Sequence, residues 1–133
     1  MMFNDTCTVY NKYLDGKIEK WQRTVLNGVF WDGVQGSNFR KTGVENADSV
    51  FILIPKFVRV DKQFLPSQEW QSLENKTGSW TLQPGDTIIK GNITYEIEKS
   101  SKELEQFDGC HKITKVDSKL FNSSMAHWEV GAK

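Results

Sequence analysis

The chain has 133 residues, enough for one domain with its own core, since domains typically run to about 100–150 residues. Hydrophobic residues make up 38% and charged residues 26%, which excludes a disordered or membrane-spanning composition. Lys+Arg and Asp+Glu both number 17, and the balance holds locally: residues 1–48 carry 6 basic and 6 acidic groups, 49–98 carry 5 and 6, and 99–133 carry 6 and 5. No segment is a basic patch or acidic tail, so nothing electrostatic in the sequence calls for tight nucleic-acid or anionic-membrane binding.

The N-terminal MMFNDTCTVYNKY lacks a basic n-region and an apolar h-region, so no leader is expected. Thr6–Tyr13 mixes β-branched, aromatic and polar residues as a half-buried strand does. Asp15-Gly16 supplies a hairpin turn. In KIEKWQRTVLNGVFW the apolar residues Ile18, Trp21, Val25, Val29 and Trp31 do not keep one alternation, so Asn27-Gly28 marks a bulge or turn that resets the register. Residues 32–48 read as a long loop, of a length usually functional or disordered.

Ser49–Ile54 (SVFILI) is the most apolar run and reads as a strand buried on both faces, ended or bulged by Pro55, with Phe57–Val60 continuing it past that proline. Pro66–Glu74 predicts a short helix, with Trp70 and Leu73 at i, i+3. Ser79–Leu82 leads into Gln83-Pro84-Gly85-Asp86, a type II turn pattern. Thr87–Lys90 and Ile93–Glu98 flank Gly91-Asn92, which predicts a two-residue hairpin. Ser100 with Glu103 is a capping box that opens a short helix to about Phe107. Lys112–Asp117 and Ala126–Val130 supply the last strands. The expected fold is mainly β: a single domain over residues 1–133, a small β-barrel or sandwich of about seven to eight strands with one or two short helices and the loop at 32–48.

Signals for chemistry are weak. Cys7 and Cys110 form no CxxC pair and read as reduced, half-buried thiols. Cys110-His111 is poor metal-ligand spacing, because neighbours on a strand point to opposite faces, and with His127 it makes no recognisable site. The sequence has no GxSxG elbow and no GxxxxGK[ST] or GxGxxG loop. Asp86 is expected to bond amides of its own turn rather than act as an acid or base. Trp21, Trp31, Trp70, Trp80 and Trp128 suit core and interface better than a sugar-stacking platform. No enzyme, cofactor or metal is expected.

Several stretches read together carry a resemblance: FNDTCTVYN, WQRTVLNGVFW, RKTG (Arg40–Gly43), WTLQPGD (Trp80–Asp86), IIKGNITYEI, KITKVD and HWEVG. The chain resembles a family of small phage and prophage virion structural proteins, often labelled minor capsid proteins. GDTIIKGNITYEI also resembles the central hairpin of phage head-closure (stopper) proteins, with Gly85, Asp86, Gly91, Tyr95 and Ile97 in matching places. That resemblance implies a β-barrel ring subunit at the head–tail connection of a virion assembled in the bacterial cytoplasm. It implies a homo-oligomer with portal or adaptor and tail proteins as partners, and transient proximity to packaged DNA without specific binding. No membrane partner is implied. The candidate assembly loop is Gly36, Ser37, Asn38, Phe39, Arg40 and Lys41; the structural turns are Gly85, Asp86, Gly91 and Asn92. A tail or minor capsid component, or a carbohydrate- or ligand-binding β-module, are the alternatives.

Overall fold

The β-branched and aromatic segments pair mostly with their sequence neighbours. The computed structural model describes residues 2–33, 50–120 and 125–133. Along it run β1 (Asp5–Asp15), β2 (Ile18–Gly33), β3 (Val50–Pro55), β4 (Gln63–Phe64), helix α1 (Ser67–Ser72) and β5 (Ser79–Trp80). Then follow β6 (Thr87–Lys90), a 3-10 helix (Ser101–Gln106), β7 (Cys110–Lys119) and β8 (His127–Ala132). Six strands close into an antiparallel barrel in the order β1-β2-β3-β8-β7-β6, so the barrel, rather than a sandwich, is the architecture. The parallel pair β4–β5 stands apart from it. The candidate assembly loop Gly36–Lys41, and the expected loop beyond Gly33, lie outside the described residues.

Alternation explains the wall. On β1, Cys7 and Val9 enter the main core, while Thr8 and Tyr10 point outward yet are also buried. On β2 the expected reset occurs at Gly28. Asp5 faces Val29 and Thr6 faces Asn27, so Gly28, at φ +98°, is left over. Inward positions are therefore Thr24 and Leu26 before the bulge and Val29 and Trp31 after it. One extra residue inverts which parity faces the core.

Three expectations change. β3 is not buried on both faces: Val50, Ile52 and Ile54 are buried, whereas Phe51 and Leu53 are partly exposed on the outer surface. Phe57–Val60 does not continue β3, because the Val58 amide turns back to the Pro55 carbonyl (2.9 Å) and Arg59 instead exchanges two backbone hydrogen bonds with Asn27 (2.8 and 3.0 Å). Ile93–Glu98 does not pair with β6, whose two edges are already taken by β1 and β7.

An aromatic cluster joins the β4–β5 layer to the barrel. Phe64 packs tilted against Trp128 (ring centroids 4.5 Å apart, planes at 44°) and meets Trp80 edge-on (5.0 Å). Helix α1 begins after Pro66 and buries Trp70, against which Tyr13 packs edge-on (5.7 Å).

Candidate functional site

Gln83-Pro84-Gly85-Asp86 forms the expected turn: Gly85 has φ +94° and the Asp86 amide donates to the Gln83 carbonyl (3.1 Å). The Asp86 carboxylate, however, does not serve backbone amides of its own turn. It accepts from Gln83 Nε2 (2.6 Å), Asn11 Nδ2 (3.0 Å) and the Lys12 backbone amide (3.2 Å). Asn11 also bonds both backbone groups of Thr81, donating to its carbonyl (2.9 Å) and accepting from its amide (3.2 Å). Gln83 Oε1 accepts from Ser67 Oγ and Gln71 Nε2 (2.7 Å each). One buried network thus binds β1, the turn and α1. Burial pushes the Asp86 carboxyl up, against the pull of the three donors. Three donors thus fix the carboxylate inside the wall, between β1 and the turn. Asn11, the centre of the network, carried one readable signal: a polar residue at an inward position of β1.

Gly91, at φ +100°, turns the chain off β6, and residues 91–98 alternate between half-buried and exposed. This strap runs over the outer face of β1, and side chains supply its rungs. Thr8 Oγ1 donates to the Gly91 carbonyl (2.7 Å) and accepts from the Ile93 amide (2.9 Å). Arg23 Nη1 donates to the Ile93 carbonyl (3.0 Å), and the Tyr10 hydroxyl to that of Tyr95 (2.6 Å). Beneath it Ile93, Tyr95 and Ile97 pack with Tyr10, Ile89 and Leu104 in a second apolar cluster. Burial pushes the Tyr10 phenol up to about 12. The far end is clamped by Glu103, whose carboxylate accepts from the amides of Glu98 (2.9 Å), Lys99 (2.8 Å) and Ser100 (3.0 Å) and from the Tyr95 hydroxyl (2.9 Å). Those donors hold its carboxyl down to about 2. Asn92 is exposed, beside a shallow hollow that Arg59 and Asp61 also line.

Two exposed apolar features stand out. β6 reaches β1 only at Cys7–Tyr10, so the β1–β2 hairpin projects past it. Its tip carries Leu14 and Ile18, 61% and 65% exposed, on opposite faces because Leu14 pairs with Glu19 and Ile18 with Asp15. Elsewhere Phe3, Leu53, Pro55, Phe57, Met125, Ala126 and His127 line an apolar hollow of about 330 Å³.

Cys110 and His111 border a polar hollow with Glu105, Lys112 and Lys133. Burial raises the Cys110 thiol, and raises Cys7 further, since Cys7 is wholly enclosed. Cys7 is therefore not half-buried as expected, whereas Cys110 is. His127 is held by the Met125 carbonyl (2.6 Å) and the Glu129 carboxylate (2.9 Å), both of which raise its pKa. Among the described residues no three ligand-type side chains gather in a metal-binding arrangement, and no helix is long and apolar enough to cross a membrane. Trp31, Trp70, Trp80 and Trp128 are buried and Trp21 is half-buried beside Tyr10, so the tryptophans build cores.

A family of unknown function, DUF6751, has a model that matches residues 2–133, and the chain belongs to that family. No curated protein and no solved structure matches it.

Proposed function

We propose that this chain is a non-enzymatic structural subunit of a bacteriophage virion at the head–tail connection. It acts there as a head-closure (stopper) or related connector protein, in a ring of identical copies between portal or adaptor and tail. The observation that carries the assembling role is the projecting β1–β2 hairpin, with Leu14 and Ile18 exposed on opposite faces of its tip. Large apolar side chains held out on a rigid two-stranded arm suit contact with neighbouring subunits. Two features keep that arm straight. Lys12–Glu19 (3.1 Å) and Lys20–Asp15 (2.8 Å) pair across it, and Gln71 Nε2 binds the Lys12 carbonyl from α1 (2.9 Å). The phage setting rests on the resemblance of the segments from FNDTCTVYN to HWEVG. The neutral overall charge suits a ring that lets DNA pass without gripping it.

Microscopy of virions carrying a labelled copy tests the reading. Label at the neck, together with particles that lose DNA when the chain is missing, is the expected result. Label along the tail or on the capsid shell would favour a tail or minor capsid component. Particles that retain DNA and join tails without the chain overturn the neck role.

A further inference from the structure

Among the described residues, large apolar side chains are exposed in two regions. Leu14 and Ile18 stand at the tip of the β1–β2 arm, and Phe57 and Met125 are exposed walls of the apolar hollow. The other two, Met2 and Leu120, adjoin the hollow in the chain. Met2 precedes Phe3, which lines it, and Leu120 follows Lys119, which pairs with His127 at its edge. The exposed apolar surface is thus one knob and one socket, and such surface marks a contact site.

The socket suits the knob in size and chemistry. Phe3, Leu53, Phe57 and Met125 line a space of about 330 Å³, and an apolar cavity of about 150 Å³ already holds a benzene-sized group. The tip brings little unpaired charge to an apolar surface. Lys12 pairs with Glu19 (3.1 Å) and Lys20 with Asp15 (2.8 Å), which leaves Lys17 at the turn itself. Knob and socket lie at opposite ends of one strand. β1 starts at Asp5, close to Phe3, and reaches Leu14 nine residues on, roughly 30 Å away at about 3.3 Å per residue. The arm is held straight by its ion pairs and by Gln71, so a copy cannot fold its own tip back into its own hollow.

We infer that the arm tip of one copy docks in the apolar hollow of the next, with Ile18 filling it and Leu14 against its rim. Ile18 follows the turn directly and is the more exposed of the two, and Leu14 points to the other face of the arm. A second copy is the occupant because this one contact covers both apolar regions of the chain. Tip and hollow are different surfaces, so the contact is heterologous and closes into a ring or continues as a filament. One tip in one hollow is small, of the class below about 1,200 Å² that associates weakly, and closure ties such contacts together. This deepens the ring reading by naming the surfaces that meet, and it rests on that reading only for closure.

Sedimentation velocity over a concentration series, at low and high salt, tests it with three proteins. Wild type self-associates, and salt does not weaken it, because the contact is apolar. L14D/I18D, which spoils the tip, and F57D/M125D, which spoils the hollow, each self-associate roughly tenfold to a hundredfold more weakly. Mixed, the two variants form a dimer and stop there, since the first keeps a sound hollow and the second a sound tip. Circular dichroism confirms folding, and F57S replaces F57D/M125D if that variant does not fold. Wild type that is still monomeric at about 1 mM overturns the docking and gives the hollow to another occupant. Self-association of F57D/M125D through its tip alone, or a mixture that forms no dimer, overturns the tip-in-hollow pairing. Assembly that ignores both variants overturns this interface but leaves the ring reading intact.

Discussion

Replacing Asp86 with Ala removes the acceptor on which three donors converge. Gln83 Nε2 keeps only a 3.4 Å contact to the Lys12 carbonyl, Asn11 Nδ2 keeps the Thr81 carbonyl, and the Lys12 amide loses its side-chain acceptor. A buried donor left unpaired costs roughly 1–3 kcal/mol, and relief from burying a charge offsets part of that sum. The expected net loss is about 3 kcal/mol. With a urea m-value of roughly 1–3 kcal/mol/M, that lowers the unfolding midpoint by about 1–3 M with no change in m. Asp86→Asn keeps the shape and one acceptor oxygen, and loses about half as much. The pH dependence separates charge from shape. Burial raises the folded carboxyl above its unfolded value of about 3.9, so the folded chain binds the proton more tightly. The wild type is therefore stabilised, relative to Asp86→Asn, as pH falls from the raised value toward about 3.9. That advantage is complete below the unfolded pKa and is lost as pH rises through the folded one. A loss under about 1 kcal/mol for Asp86→Ala, or a difference between wild type and Asp86→Asn that is flat with pH, would refute the reasoning.

Gly85→Val should cost about 1–2 kcal/mol or more in thermal unfolding, whereas Lys90→Ala stays within about 0.5 kcal/mol. The added Cβ at Gly85 meets no atom within 4 Å, so the penalty comes from the positive φ and not from a Cβ clash. Glu103→Gln should speed amide exchange at Glu98, Lys99 and Ser100 while leaving β1 amides protected. In the wild type the Glu103 clamp is fully in force above the unfolded carboxyl value of about 4.3 and is lost as pH falls through about 2, which an NMR titration reads directly. Under native conditions iodoacetamide should label Cys110 slowly and Cys7 not at all, with both labelled in denaturant; mass spectrometry resolves the two sites.

Features whose causes are local were legible in the sequence. Asp15-Gly16 turns the first hairpin with Gly16 at φ +67°, Gly28 resets β2, and Gly85 serves its turn. The Ser100–Glu103 capping box forms, although on a 3-10 rather than an α-helix. The failures have non-local causes. Gly91-Asn92 followed by ITYEI carries every hairpin signal, but a hairpin needs a free edge on β6, and β1 and β7 occupy both. The segment keeps its alternation and lies over β1, bonded to Thr8, Tyr10 and Arg23, which stand 70 to 85 residues away in sequence. No local pattern announces such rungs. Asp86 was singled out, yet its partners could not be, because Asn11 meets it across 75 residues, Ser67 joins through Gln83, and Gln71 joins through Gln83 and the Lys12 carbonyl. In β3 the apolar run concealed its outer face, since Phe51 and Leu53 are apolar residues on the surface side.

The even charge count along the chain conceals a segregation in space. From Ile93 to Asp108 five carboxylates stand against two lysines, and this stretch forms the strap and the 3-10 helix. β7 carries Lys112, Lys115 and Lys119 against Asp117, with Lys133 bonded through its backbone to Lys112. Window counts miss this because strap and strand are consecutive in sequence, so their opposite signs cancel in almost any window that holds both. A net charge near zero is therefore compatible with stretches of opposite sign on neighbouring elements of the fold.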